Sequence, residues 1–93
     1  MSKILLVDIV PLLGSEKMML FSLLKEANKK YYRGMYIDKR AIDTIYAAFE
    51  IDDEERLDAL AKTFKSLMKD YKTKNLVQIR TKIPSTLTLV EGA

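Results

Sequence analysis

The residues best suited to chemistry in this sequence are cations concentrated in one segment. Residues 62–82 hold seven lysine or arginine side chains and one aspartate, although the net charge of the 93-residue chain is only +3. A basic segment in an otherwise balanced chain is the electrostatic pattern of a protein that binds a polyanion. We therefore predict binding to double-stranded DNA, with an ordinary solvated helix face as the alternative.

The predicted DNA contacts lie on one helix, on the segment that follows it and at the start of an upstream helix. Lysine and arginine neutralise phosphates, and serine and threonine hydroxyls bind phosphates or base edges. An arginine near the turn of a hairpin can also reach a narrow minor groove. The candidates are Lys62, Thr63, Lys65, Ser66, Lys69, Lys72, Lys74, Arg80, Lys82, Lys39 and Arg40.

A second charged segment, residues 50–58, carries six carboxylates and one arginine. Asp52, Asp53, Glu54 and Glu55 are consecutive, so at the start of a helix they fan out around its axis instead of converging on a metal ion. The chain also has no histidine and no cysteine, which excludes Ser-His-Asp and Cys-His catalysis and the usual zinc sites. We expect a helix cap here, no enzymatic activity and no cofactor, with a surface for a protein partner as the alternative.

The cations must be positioned by a helix and by the segment that follows it. In IDDEERLDALAKTFKSLMKDY, residues 51–71, apolar side chains recur every three or four positions, as at Leu57, Leu60 and Phe64. Residues 76–90, LVQIRTKIPSTLTLV, contain two β-prone runs separated by Pro84 and Ser85. This pattern predicts a long helix followed by a β-hairpin.

Two further helices are predicted upstream. The first begins at the N-cap Ser15, and its buried stripe is predicted to be Met19, Leu20, Leu23, Leu24 and Ala27. A short β-prone run, residues 35–37, leads to a second helix over residues 39–49. The apolar positions of that helix are Ala41, Ile42, Ile45, Tyr46, Ala48 and Phe49.

Residues 4–13, ILLVDIVPLL, are almost wholly apolar, and Pro11 forbids a regular helix through them. We expect residues 1–13 to form an arm on a domain of residues 14–93, packed either on the domain itself or on a second copy. The predicted dimer interface is Ile4, Leu5, Leu6, Ile9, Leu12 and Leu13. No apolar run approaches the roughly 20 residues of a membrane span, so we expect a cytoplasmic protein with no membrane partner.

This order of elements resembles that of small plasmid and phage winged helix-turn-helix proteins. The resemblance rests on SEKMMLFSLLKEA, MYID, KRAIDTIYAAF, the long helix and LVQIRTKIPSTLTLV. It implies an α+β, mainly α fold of three helices, a short strand and a C-terminal hairpin wing. It also implies sequence-specific binding of double-stranded DNA by a homodimer. The role would be that of TubR-like centromere-binding adaptors, whose partner is a filament-forming NTPase, or of replication and transcription regulators. The alternative is a protein–protein interaction module without DNA binding.

Overall fold

The computed structural model describes residues 1–72 and 75–92, apart from the side chain of Ile42. These residues form two α-helices, a single 3-10 turn at Val10–Leu12 and five strands. In chain order they are β1 (Lys3–Asp8), α1 (Lys17–Ala27), β2 (Tyr32–Asp38), β3 (Ala41–Ile51), α2 (Glu54–Leu67), β4 (Val77–Arg80) and β5 (Leu87–Gly92).

The strands form one antiparallel sheet in the order β4-β1-β3-β2-β5. The first six elements follow the β-α-β-β-α-β order of ferredoxin-like folds, and β5 adds an edge strand beside β2. Gly34 makes this last pairing possible. Its φ of +126° is one that glycine adopts freely, and a side chain there would collide with the carbonyl oxygen of Glu91 on β5.

Both helices cover the same face of the sheet, and the main core lies between the two layers. Leu5 and Val7 of β1 and Phe49 of β3 meet Phe21 of α1 and Phe64 of α2 in this core. The Phe64 ring lies 5.6 Å from the Phe21 ring and 5.4 Å from the Phe49 ring, measured between centroids. Aromatic contacts at this distance stabilise a core beyond their buried area, so Phe64 joins both helices to the sheet.

The opposite face of the sheet is covered in part by the connector between β4 and β5. These strands lie at opposite edges, about 19 Å apart for four inter-strand spacings. Six residues, 81–86, cross that distance, which a nearly extended chain can do. Ile83 of the connector packs against a small cluster formed by Ile4, Leu6 and Ala48.

The winged helix-turn-helix prediction is wrong. The described residues contain more strand than helix, and the sheet has five strands instead of a short strand and a wing. The element over residues 39–49 is the reason. It is strand β3, whose residues Phe49 and Ile51 face the helices while Ala48 faces the connector. Because both faces of β3 are covered, its sequence does not alternate between polar and apolar residues. The spacing of its apolar residues therefore also fits a helix.

The predicted hairpin wing is also wrong. Strands occur at Val77–Arg80 and Leu87–Gly92, but they do not pair with each other. β4 pairs with β1, and β5 pairs with β2. Pro84 and Ser85 lie in the crossing connector, where the amide of Leu87 donates to the carbonyl of Pro84. This local turn resembles a hairpin turn in sequence, whereas the pairing of each strand is set by distant residues.

Two predicted elements are confirmed with shorter bounds. The long helix is α2, and Asp53 caps it by accepting hydrogen bonds from the amides of Glu55 and Arg56. The first helix is α1, which begins at Lys17. Ser15, the predicted N-cap, instead donates its hydroxyl hydrogen to the carbonyl of Leu12. The predicted short strand over residues 35–37 is part of β2.

Candidate functional site

Helix α1 has an apolar outer surface. Phe21 is buried in the core, and Met18 and Leu24 pack partly against it. Met19, Leu20 and Leu23 point away, with exposed fractions of 72%, 52% and 62%. The sequence prediction that these three residues belong to a buried stripe is therefore wrong. A helix packed on one side of a two-layer fold can bury only one stripe, and α1 is apolar over a wider arc than that.

A groove of about 750 Å³ runs between α1 and α2 beside these residues. Leucines of both helices form its apolar part, and side chains of α2 and the turn after it form its polar wall. The lining residues are Leu20, Leu23, Leu24, Leu67, Lys17, Lys62, Thr63, Ser66, Lys69 and Asp70. An apolar centre with a polar rim is the usual composition of a protein-binding surface.

Lys17 closes one end of the groove by tying the two helices together. Its ammonium group donates to the carbonyl of Leu67 at 3.0 Å and to the carboxylate of Asp70 at 2.9 Å. It also lies 5.0 Å from the centroid of the Tyr71 ring. The hydrogen bond from Lys17, and then its positive charge, lower the pKa of Asp70. The cation also satisfies a carbonyl at the C-terminus of α2, where the helix dipole favours positive charge.

The outer side of α2 changes sign along its length. Glu55 and Asp58 lie one or two turns before Lys62, on the same side of the helix because of its 3.6-residue period. Lys69 follows just beyond the helix end, and all four side chains are exposed. We use the term helical face for Met19, Leu20 and Leu23 of α1 together with Glu55, Asp58, Lys62, Ser66 and Lys69 of α2 and its C-terminal turn.

The structure brings together only part of the predicted DNA-contact set. Lys62, Thr63, Ser66 and Lys69 line the α1–α2 groove. Lys65 lies on the other side of α2, beside Met68 and Leu76. The hydroxyl of Thr63 is already used, since it donates to the carbonyl of Ala59.

The remaining predicted contacts lie elsewhere on the molecule. Arg80 is the cross-strand neighbour of Ile4, so it lies on the sheet face opposite the helices, and Lys82 lies in the connector. Lys39 and Arg40 form the exposed turn between β2 and β3. Lys72 is exposed after α2, and Lys74 lies outside the described residues. The helix and the predicted wing therefore do not present one continuous basic surface.

The apolar N-terminal segment is used mainly inside the chain. Its residues 3–8 form β1, a strand between β4 and β3. Five of the six side chains predicted for a dimer interface are buried in the core of the single chain: Ile4, Leu5, Leu6, Ile9 and Leu12. Leu13 is exposed. The folding of one chain thus accounts for the apolar character of this segment.

A second candidate site lies under the connector on the opposite sheet face. It is a cavity of about 200 Å³ whose polar lining includes Asp38, Tyr46, Gln78 and Arg80. Arg80 donates a hydrogen bond to the side-chain oxygen of Gln78. Burial raises the pKa of Tyr46, and the negative charge of Asp8 raises it further by a smaller amount. These polar groups are engaged largely with one another, and among the described residues no cluster of three or more acidic side chains is placed to hold a metal ion.

Asp8 is a buried carboxyl group of this region. Burial raises its pKa, and the hydrogen bond that it accepts from the amide of Val10 acts in the opposite direction. That bond joins the end of β1 to the 3-10 turn, so Asp8 has a structural role that accounts for its position. The helical face therefore remains the better candidate for function.

Comparison with known proteins adds no relative. No family model matches the chain, and no similar curated protein or solved structure was found. Within residues 1–72 and 75–92, neither helix has the length and apolar character needed to cross a membrane. DNA binding, dimerisation and a partner NTPase therefore stay predictions, and the fold does not by itself indicate an activity.

Proposed function

We propose that this chain is a protein-binding module and that it binds through the helical face. The observation that carries the proposal is the exposure of Met19, Leu20 and Leu23 on one side of α1. Folded monomers rarely expose a contiguous patch of large apolar side chains unless it serves an interaction. Burial of each half-exposed side chain would contribute roughly 1 kcal/mol to binding.

The surroundings of these three residues support a protein as the partner. Lys62, Thr63, Ser66 and Lys69 border the apolar side chains, so a partner could place apolar groups at the centre and polar groups at the rim. Met19 adds an unbranched side chain that adapts to irregular partner surfaces. The outer side of α2 is acidic over its first turns and basic from Lys62 onwards, which favours a protein surface of mixed charge over a uniformly charged polymer.

The experiment is site-specific photo-cross-linking in cells that produce the chain. One variant carries benzoylphenylalanine in place of Met19, and the control carries it in place of Val90. Val90 is 61% exposed on β5, in the sheet layer. We expect a discrete protein adduct from position 19 that is missing from position 90. Adducts with lipid alone, equal adducts at both positions, or no adduct at position 19 would overturn the proposal.

Binding of double-stranded DNA is the second candidate, favoured by the exposed Lys62, Lys65 and Lys69 along α2 and its C-terminal turn. If these lysines neutralise phosphates, affinity should fall steeply with salt. Lys62→Glu, Lys65→Glu and Lys69→Glu combined should abolish a mobility shift of duplex DNA. The control variant, Lys29→Glu with Lys30→Glu, changes exposed lysines after α1 and should retain it. The absence of a shift by the native chain at low salt would contradict DNA binding.

A further inference from the structure

We infer that the helical face binds a second copy of this chain, with the helices of the two copies antiparallel across a twofold axis. This inference rests on the proposed function, because it names the occupant of the same surface. It predicts a homodimer whose interface consists of α1 and α2, while β1 remains inside each chain.

The sign change along α2 is the observation that selects a second copy. Glu55 and Asp58 lie in its first half, Lys62 lies just past its middle, and Lys69 follows its end. When two such helices lie antiparallel, the acidic end of each faces the basic end of the other. Twofold symmetry repeats every such contact, so the complementarity occurs twice in one interface. A parallel arrangement would oppose like charges and weaken binding.

The same rotation brings the exposed apolar residues of the two copies together. A twofold axis that lies in the interface and runs across the helices superimposes α1 on its own copy and α2 on its own copy. Met19, Leu20 and Leu23 of each chain then meet the same three residues of the partner. The exposed apolar surface becomes a shared centre, and the opposite charges of the two α2 helices flank it.

Other occupants fit this surface less well. An acidic peptide would pair with Lys62 and Lys69, but Glu55 and Asp58 would repel it. An anionic membrane would meet the same two carboxylates on the side of α2 that it must approach. A surface with both signs at opposite ends of one helix is complementary to itself, which is the property that a symmetric dimer requires.

The test uses the purified 93-residue chain and two charge-reversal variants. The first, Glu55→Lys with Asp58→Lys, makes the outer side of α2 wholly basic. The second, Lys62→Glu with Lys69→Glu, makes it predominantly acidic, with Lys65 left as a cation at its edge. Sedimentation equilibrium from about 1 µM to 1 mM covers the affinities of weak and moderate interfaces. We expect the native chain to approach twice its mass of 10.7 kDa.

Each variant alone should dimerise at least about tenfold more weakly, since every flanking pair becomes repulsive. A mixture of the two variants should restore association as a one-to-one complex, because basic ends then face acidic ends at both sides. Lys39→Glu with Arg40→Glu, at the exposed β2–β3 turn, has the same charge change as the acidic variant and should dimerise like the native chain. Circular dichroism would confirm that every variant is folded.

Three outcomes would overturn the inference: a native chain that stays monomeric at all concentrations, variants that dimerise normally, or a mixture that fails to associate. Failure of the proposed function is distinguishable. If the purified chain is monomeric but position 19 cross-links to a protein of another mass in cells, the protein-binding role stands and the second copy is excluded. If position 19 cross-links to no protein and the chain is monomeric, both proposals fail.

Discussion

The two helices lie side by side on the same sheet but use their sequences differently. α2 buries Leu57, Leu60, Ala61 and Phe64, and its outer side is charged or polar. α1 buries only Phe21, and its outer side carries Met19, Leu20 and Leu23 beside the exposed Glu26. The fold of a single chain therefore explains why α2 has its residues, whereas it leaves Met19, Leu20 and Leu23 of α1 without a role.

The surroundings of the helices account for this difference. α2 packs against β1, β3 and β4, while α1 lies against α2. The start of α2 is fixed by the Asp53 carboxylate, whereas at the start of α1, within the described residues, the N-cap Glu16 makes no capping bond through its side chain. α2 thus has the features of a helix that organises a core, and α1 has those of a helix that presents a surface.

The largest expected effect separates core from surface. Phe64→Ala should lower the free energy of unfolding by about 3–5 kcal/mol, because it removes the ring that contacts both Phe21 and Phe49 and leaves a cavity. That is a large part of the roughly 5–15 kcal/mol that stabilises a typical domain. Urea denaturation followed by circular dichroism measures the change. A loss below about 1 kcal/mol would show that Phe64 does not join the layers as described.

Substitutions at the N-caps of the two helices should change the free energy of unfolding by smaller and unequal amounts. Asp53→Ala removes the acceptor of two amide hydrogen bonds and should cost about 1 kcal/mol. Glu16→Ala, at the N-cap of α1, removes no such bond and should change the free energy of unfolding by less than about 0.5 kcal/mol. The same denaturation measurement compares them. Equal losses would mean that the two helix starts are stabilised alike, contrary to the geometry.

The contact between the helices should give a pH dependence in a defined direction. Because Lys17 lowers the pKa of Asp70, folding favours the ionised carboxylate. The resulting stabilisation is present above the ordinary aspartate pKa of about 3.9 and is lost as the pH falls through the lower pKa of the folded state. The group is exposed, so solvent weakens the effect.

A carboxyl carbon NMR titration tests this interaction directly. In Lys17→Met the pKa of Asp70 should rise towards the ordinary value, since the hydrogen bond and the charge are both removed. Lys25→Met, which removes a lysine from the other end of α1, should leave the Asp70 titration unchanged. An Asp70 carboxyl that titrates identically in Lys17→Met and in the native chain would contradict the contact between α1 and the end of α2.

The number of sides on which an element is covered explains which elements the sequence could predict. α2 is covered on one side only, so its apolar spacing identified it, and Asp53 was recognised as a possible cap. β3 is covered on both sides, so alternation was hidden and a helix was predicted instead. The sequence located strands in residues 76–90 but not their partners, because the partners lie in β1 and β2, far along the chain.

The candidate site was predictable only in its polar half. Lys62, Thr63, Lys65, Ser66 and Lys69 were predicted as DNA contacts on one helix. All but Lys65 line the groove, and contact with DNA stays a prediction. Met19, Leu20 and Leu23 were missed, because an apolar side chain in a sequence is normally assigned to a core. The available signal was the width of the apolar arc on α1. How much of that arc a fold can cover depends on the packing of α2 and the sheet, which local spacing does not reveal.

The smallest effect on folding should accompany a large effect on association. Leu23→Gln replaces an exposed side chain, so it should change the free energy of unfolding by less than about 0.5 kcal/mol when measured on dilute, monomeric chain. It should nevertheless weaken self-association measured by sedimentation, because Leu23 is placed at the centre of the proposed interface. Leu89→Gln is the matched control, since Leu89 is 51% exposed on β5 in the sheet layer. If both variants weaken association equally, general apolar attraction drives it. If neither does, the outer side of α1 is not the interface and its leucines still lack an explanation.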